Sequence, residues 1–263
     1  MRRLALRFTA LGYLALLLGL PVGFVFYRAF EHGLGTLWSS ITTPEAQHAF
    51  WLTCVMVLVA VPLNTLFGVL TSLVLVRQRF RGKALLNAAI DLPFAVSPVV
   101  IGLALVLVYS NTGWVGPWLL DHGVQVIFAP LGMILATIFV SLPFVVRETV
   151  PVLREVGTEQ EQAAETLGAS PWQTFLRITL PSIRWGVAYG VVLTTARALG
   201  EFGALSVVSG KLAGRTETLT LHVEDRFQAF DLTGAYAAAV VLALMALATL
   251  LLLNLIKPKE ASA

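Results

Sequence analysis

An arginine and a glutamate stand four residues apart in "TTARALGEFGALSVVSG", Thr194 to Gly210, a run otherwise almost free of charge. A guanidinium in apolar surroundings can neutralise a carboxylate, or it can clamp an oxyanion with two parallel N–H donors. Read as helix, Arg197 and Glu201 lie one turn apart and can neutralise each other, holding their helix against its neighbours, although Arg before Glu is the less favourable order. Alternatively, they border a polar pathway, a place where ionisable side chains inside membranes gather. The two readings are compatible, because a pair can lock a closed pathway and break as it opens. A second candidate stretch is "DLPFAVSPVV", beginning at Asp91. Pro93 and Pro98 interrupt helical hydrogen bonding, and broken helices in transport proteins expose backbone polar groups toward a cavity. Ser97 can add a hydroxyl there or bond back to its own helix. Asp91 reads as an interfacial residue.

Other chemistry is missing. His32, His48, His122 and His222 are isolated, without HExxH or paired-cysteine spacing, so they read as exposed loop residues and a metal site is unsupported. No GxSxG occurs, and the single cysteine, Cys54, has no partner for a disulfide and reads as packing. Gly82-Lys83 and Gly210-Lys211 lack the earlier glycine and following hydroxyl of a P-loop, so if ATP drives this protein another chain must bind it.

The elements that must position these residues follow from composition. Of 263 residues, 57% are hydrophobic and 13% charged, against roughly a quarter charged in ordinary soluble domains. This is an all-α integral membrane protein. Apolar stretches of the length needed to cross a hydrocarbon core occur at 10–28, 50–75, 87–109, 126–146, 185–208 and 234–256, giving about six transmembrane helices. That count places Arg197 near the bilayer midplane. The basic N-terminus resembles the start of a signal peptide, but its apolar part is too long and lacks a small-residue cleavage site, so it reads as a retained first span. With the N-terminus cytoplasmic, thirteen of the 18 basic residues face the cytoplasm and four face outward, leaving Arg197. Both termini are then inside, Lys257 and Lys259 included. The net charge of +3 reflects this topology and points to no nucleic acid. Trp114 and Trp118 at the outer interface, with Trp172 and Trp185 at the inner, fit aromatic belts. Gly19/Gly23 and Gly186/Gly190 are small-xxx-small pairs that can let helices approach closely.

Residues 147–184 form the longest inner loop, within a single transmembrane domain spanning 1–263. Thr158 and Glu161 make a capping box, Ala163, Ala164 and Leu167 an apolar stripe, and Gly168 a left-handed stop. Ser170 and Gln173 form a second box with Pro171 at the first helical position, Trp172, Phe175 and Leu176 make the next apolar face, and Pro181 ends it. The result is a helix-turn-helix knob that can lie on lipid headgroups or dock into another protein. The outer segment 210–233 alternates in "ETLTLHVE" and reads as a strand-like loop or an interfacial helix.

The knob "QAAETLGASPWQTFLRITLP", Gln162 to Pro181, resembles the EAA loop of permease subunits of bacterial ABC importers, E-A-A-x3-G-x9-I-x-L-P. Ala163, Ala164, Gly168, Ile178, Leu180 and Pro181 match, and Gln162 stands where the family has glutamate. The resemblance implies a type I importer permease (MetI-like) fold whose loop is a coupling helix seated in a groove of a cytoplasmic ABC ATPase dimer. The glutamine would remove one salt bridge to the ATPase, which Glu161 or a neutral hydrogen bond from Gln162 could replace. A narrower resemblance, carried by "DLPFAVSPVVIGLALVLVY", "ARALGEFGA" and "LTLHVE", is to the sulfate/thiosulfate permease subunit of the CysW type, with molybdate permease as nearest relative. It implies a non-catalytic subunit of the bacterial inner membrane, binding no cofactor of its own, with ATP and Mg used by the ATPase. It also implies a second homologous permease subunit or a second copy, and an extracytoplasmic oxyanion-binding protein. The pathway would involve Arg197, Glu201, Ser97 and Pro98. An ion-coupled secondary carrier using Arg197 and Glu201 as a proton relay would show inverted repeats and need no knob; a non-transporting scaffold would leave the buried pair unexplained.

Overall fold

A chain this apolar can satisfy its backbone in hydrocarbon only by forming helices. The computed structural model describes residues 2–256, and among these it is helical with no strand. The first span joins α1 (Arg2–Leu14) through a π turn (Ala15–Gly19) to α2 (Leu20–Phe30), and α3 (Gly33–Ile41) follows. Next comes α4 (Pro44–Arg77), whose start is fixed by Thr43, accepting from the Ala46 amide at 3.3 Å, and by Pro44 at its first position. A bent pair, α5 (Lys83–Ala95) and α6 (Pro98–Tyr109), leads through short α7 (Gly116–Asp121) to α8 (Pro130–Val156). The knob contains α9 (Glu159–Thr166) and α10 (Pro171–Thr174), continued by a π turn (Phe175–Thr179) into α11 (Leu180–Leu199). The chain closes with α12 (Leu205–Val208), α13 (Leu219–Gln228) and α14 (Leu232–Ile256). Within segment 210–233 the turns up to Thr218 are followed by helix α13, so the alternating stretch forms a helix and not a strand, but one with a buried face.

Every one of the six apolar stretches is helical, but three boundaries differ from expectation. Among the described residues four helices are long and apolar enough to cross a membrane, Thr9–Phe30, Pro44–Arg77, Pro130–Val156 and Leu232–Leu252, and the α5–α6 pair makes a fifth if it is one span. That pair is bent by 112°, because Pro98 forces the residue before it out of helical geometry and Ser97 adopts ψ 135°. The fifth stretch breaks after Leu199, at Gly200, and resumes as α12. Arg197 consequently sits in the last turn of α11 and not mid-helix, where its positive charge complements the carbonyl end of the helix. The fourth runs ten residues further than expected, so the knob proper begins at Gly157. Lys257, Lys259 and the C-terminus, counted on the cytoplasmic side above, lie outside the described residues, as do the side chains of Arg2 and Arg3.

The centre of the molecule is α8 wedged between α4 and α11. A Cβ on Gly68 of α4 would lie 2.7 Å from Val145 Cβ, and one on Gly190 of α11 would lie 2.7 Å from Val145 Cα. One turn away, a Cβ on Gly186 would meet the Glu148 carbonyl at 2.9 Å. Small residues let the backbones approach this closely, as the Gly186/Gly190 pattern implied. Val145 joins Val69, Leu153 and Ile183 in the buried cluster there. Gly19 and Gly23, by contrast, face nothing within 4 Å among the described residues, so that pattern seats no described helix. A Gly190→Val substitution should cost about 1–3 kcal/mol by overpacking against backbone, read as a lowered thermal midpoint of the detergent-solubilised protein, while Gly23→Val should leave the midpoint unchanged.

Candidate functional site

The Arg197–Glu201 pair forms, across the break that ends α11. Arg197 Nη2 lies 2.7 Å from Glu201 Oε2. Glu201 Oε1 accepts the Ala204 amide at 2.9 Å, and its backbone carbonyl accepts the Thr220 hydroxyl of α13 at 2.7 Å. The carboxylate is only 1% exposed, whereas the arginine side chain keeps 28% of its surface open. The glutamate is thus the fixed member, stapled to α12 and α13, and the guanidinium is the accessible one. An arginine carries five N–H donors, so a partner at one nitrogen leaves others for an anion.

The second break meets the first. Gly203 lies where a Cβ would be 3.0 Å from Pro98 Cβ, and one on Gly102 of α6 would be 2.8 Å from the Ala204 carbonyl. Two interrupted helices, α5–α6 and α11–α12, therefore cross at their gaps, with Pro98 on one side and the turn from Glu201 to Ala204 on the other. Ser97 is exposed at the bend and its hydroxyl does not cap α6. Crossed helix gaps place backbone polar groups and a charged pair at one point, the arrangement by which spans hold a polar substrate.

Support comes from residues that sequence reasoning passed over. Thr53 of α4 is buried and accepts the Leu219 amide at 2.9 Å, fixing the start of α13. His222 is not an exposed loop residue: it is buried in α13 with Nδ1 3.1 Å from Glu217 Oε1, because α13 packs on α4 and α14 and turns this face inward. The five-residue spacing of Glu217 and His222 matches no pattern that would have announced a pair. His48 lies in α4, while His32 and His122 are exposed. Among the described residues no three metal-binding side chains gather. Asp91 also has a partner that the sequence did not announce: Arg147 Nε of α8 donates to its Oδ1 at 2.7 Å, and Arg147 Nη2 donates to Asn87 at 3.2 Å. Arg147 belongs to α8 and not to the inner loop that hydropathy assigns it to.

In the knob, Gly168 has φ +86°, with its amide on the Glu165 carbonyl at 3.0 Å and the Ala169 amide on the Ala164 carbonyl at 3.0 Å. This is the Schellman ending foreseen from the glycine. The Ser170–Gln173 capping box is complete, at 3.3 and 2.9 Å. The Thr158–Glu161 box is not formed. Thr158 Oγ1 instead accepts from Gln162 Nε2 at 3.3 Å, and Glu161 turns inward to Arg77, at 3.0 and 3.1 Å, and to the Thr179 hydroxyl, at 2.8 Å. Glu161 is therefore committed within the chain and is not presented outward in place of Gln162, which is exposed. Ala164 is buried and Ile178 and Leu180 are half-buried, whereas Ala163, Gly168 and Pro181 are exposed. Leu167 at 88% and Trp172 at 67% leave an apolar ridge uncovered. Pro181 does not end the knob. It sits in the first turn of α11, and the widened π turn before it accommodates a residue with no amide donor. The helix begun at Pro171 thus runs unbroken to the turn holding Arg197.

The sequence profile described as binding-protein-dependent transport system inner membrane component matches residues 64–261. The sulfate transport system permease protein CysW of Synechocystis sp. is 51% identical over 250 residues, covering 95% of this chain and 91% of that protein. Among solved structures, that of a bacterial ABC transporter involved in the import of the acidic polysaccharide alginate superposes with a TM-score of 0.80 at 18% identity, covering 98% of this chain and 95% of that one. The alginate transporter in complex with an alginate pentasaccharide-bound periplasmic protein gives 0.74 at 18% identity, covering 98% and 94%.

Proposed function

From its membership of the binding-protein-dependent transport system inner membrane components, we propose that this chain is the permease subunit of an ATP-driven importer for sulfate or thiosulfate. The observation that carries the reading is the knob: a capped helix-turn-helix with an uncovered ridge of Leu167 and Trp172, continuous through a π turn with the helix that bears Arg197. A chain with no nucleotide-binding motif needs a separate ATPase, and this ridge is the surface that would seat it on the cytoplasmic side, both chain termini lying on that side too. Its ATP and Mg would be bound there and not by this chain. A second permease subunit would complete the pathway, and an extracytoplasmic binding protein would deliver the anion to the opposite face.

Alternating access is the mechanism this reading implies. Closure of the ATPase dimer pushes the knobs together and tilts the spans, opening the pathway outward; hydrolysis returns it inward. A dianion in a low-dielectric passage needs donors, and Arg197 at the crossed gaps offers them when its hold on Glu201 loosens. The test is uptake of radiolabelled sulfate into cells carrying the full system, with and without the partner ATPase. Uptake should vanish without the ATPase; uptake that survives its loss, or that molybdate but not thiosulfate outcompetes, would replace this reading.

A further inference from the structure

Arg77 lies at the very end of α4, and among the described residues it is one of the most heavily bonded side chains. Its Nη2 donates to the Gly157 carbonyl at 2.6 Å and to Glu161 Oε1 at 3.1 Å, and its Nη1 donates to the Leu153 carbonyl at 3.3 Å. Its Nε lies 3.0 Å from Glu161 Oε2, with both side chains 18% exposed. Glu161 Oε1 in turn accepts from Thr179, in the π turn that leads into α11. One guanidinium thus touches the C-terminal carbonyls of α8, the first turn of α9 and, through Glu161, the root of α11.

We propose that Arg77 is a positioning residue that fastens the knob to the α4–α8–α11 body, so that a push on the knob moves all three helices together. This inference rests on the importer reading above. Three observations argue for it. Helix α9 packs chiefly on α10 and the π turn, and the knob's apolar hold on the spans comes from Phe175 against the Val69, Val145, Leu153 and Ile183 cluster, so α9 itself is tied to the spans mainly by polar contacts. The three helices are already interlocked at Val145 by Gly68 and Gly190, so a load delivered to their ends is shared along their length. The guanidinium is held at several points, donating to Glu161 Oε1 and to the Gly157 and Leu153 carbonyls, and such a hold resists rotation as well as separation, which a single hydrogen bond does not. The strut skips α5–α6, which joins α8 through the Arg147–Asp91 pair, and does not reach α1, α2 or α14. The rigid and the yielding parts of the spans are thereby divided at Arg77.

The experiment uses the full transporter complex in liposomes, comparing wild type with Arg77→Ala, Arg77→Lys and Glu161→Gln. Anions imported per ATP hydrolysed should fall about tenfold in Arg77→Ala, with basal hydrolysis and ATPase co-purification unchanged. Arg77→Lys, which keeps the charge but not the fork, should fall between. Spin labels at Arg154 and Glu165, in a Cys54→Ser background, should give a narrow distance distribution in every nucleotide state of wild type and a broad one in Arg77→Ala. Unchanged stoichiometry with a narrow distribution overturns the strut, as does loss of ATPase co-purification in both Arg77→Ala and Glu161→Gln, since the pair would then be part of docking. Failure of the importer reading would show separately, as ATP-independent uptake by the unmutated complex, and the label widths would still decide whether Arg77 holds the knob.

Discussion

Replacing Arg197 with alanine should lower anion uptake by about a hundredfold, the size of a ~3 kcal/mol loss, with the protein still present in the membrane. Two effects combine. Glu201 stays 1% exposed, its carboxylate held by the Ala204 amide and its backbone carbonyl by Thr220, so the buried charge keeps its place when its cation is removed. Stranding a buried carboxylate costs about 2–4 kcal/mol, scaled down from a fully enclosed pair because the arginine is partly open. The substrate also loses the accessible donors at the crossed helix gaps. Glu201→Gln separates the two, since an amide oxygen still accepts from Ala204 while the negative charge is gone. It should preserve stability and reduce uptake less than Arg197→Ala does. Initial uptake rates normalised to membrane protein, together with thermal midpoints in detergent, check both; equal rates in wild type and Arg197→Ala would make the pair purely structural.

Gly168→Asp should leave the fold almost intact and abolish ATPase capture. Beyond its chain neighbours, no atom of the described residues lies within 4 Å of a Cβ at this position, so the cost inside the chain is that of φ +86°, about 1 kcal/mol. Aspartate tolerates such a conformation better than most residues. What changes is the surface: a charge and extra bulk appear at the turn between the exposed Leu167 and Trp172. Pull-down of the ATPase by the tagged permease should fall to background, with basal permease abundance unaltered. Gly168→Ala, which carries at least as much backbone strain and little bulk, should retain most of the binding. If alanine fails as badly as aspartate, strain and not the docked face is responsible; if aspartate still captures the ATPase, the ridge docks something else.

The charged pair, the helix break at Pro98 and the knob are all legible as local chemistry. Pro98 dictates the geometry of Ser97, Gly168 ends a helix in either environment, and Ser170 with Gln173 closes on itself; none of these needs a partner distant in sequence. The features that escaped depend on neighbours far along the chain. Thr158 and Glu161 spell a capping box, but Arg77, 84 residues upstream, outcompetes the local amide for the carboxylate. His222 looked exposed because nothing nearby in sequence says that α13 folds inward against α4. The end of span five was misplaced for a related reason: apolar residues continue past Leu199, so hydropathy saw no boundary where the backbone makes one. Hydropathy reports what surrounds a segment, whereas the break is set by where Glu201 finds its amide and hydroxyl partners.

The unequal embedding of the helices also sets how the chain tolerates change. No part of the apolar window in the first span is buried within the chain, so a substitution there is tested mainly for greasiness, and leucine, valine or phenylalanine are interchangeable in that currency. At Gly68, Gly186 and Gly190 a single added methyl meets the opposing helix. A comprehensive mutational scan should accordingly be nearly flat along positions 10–24 and fall off a cliff at those three glycines, drawing the mechanical core of the transporter as a map of intolerance.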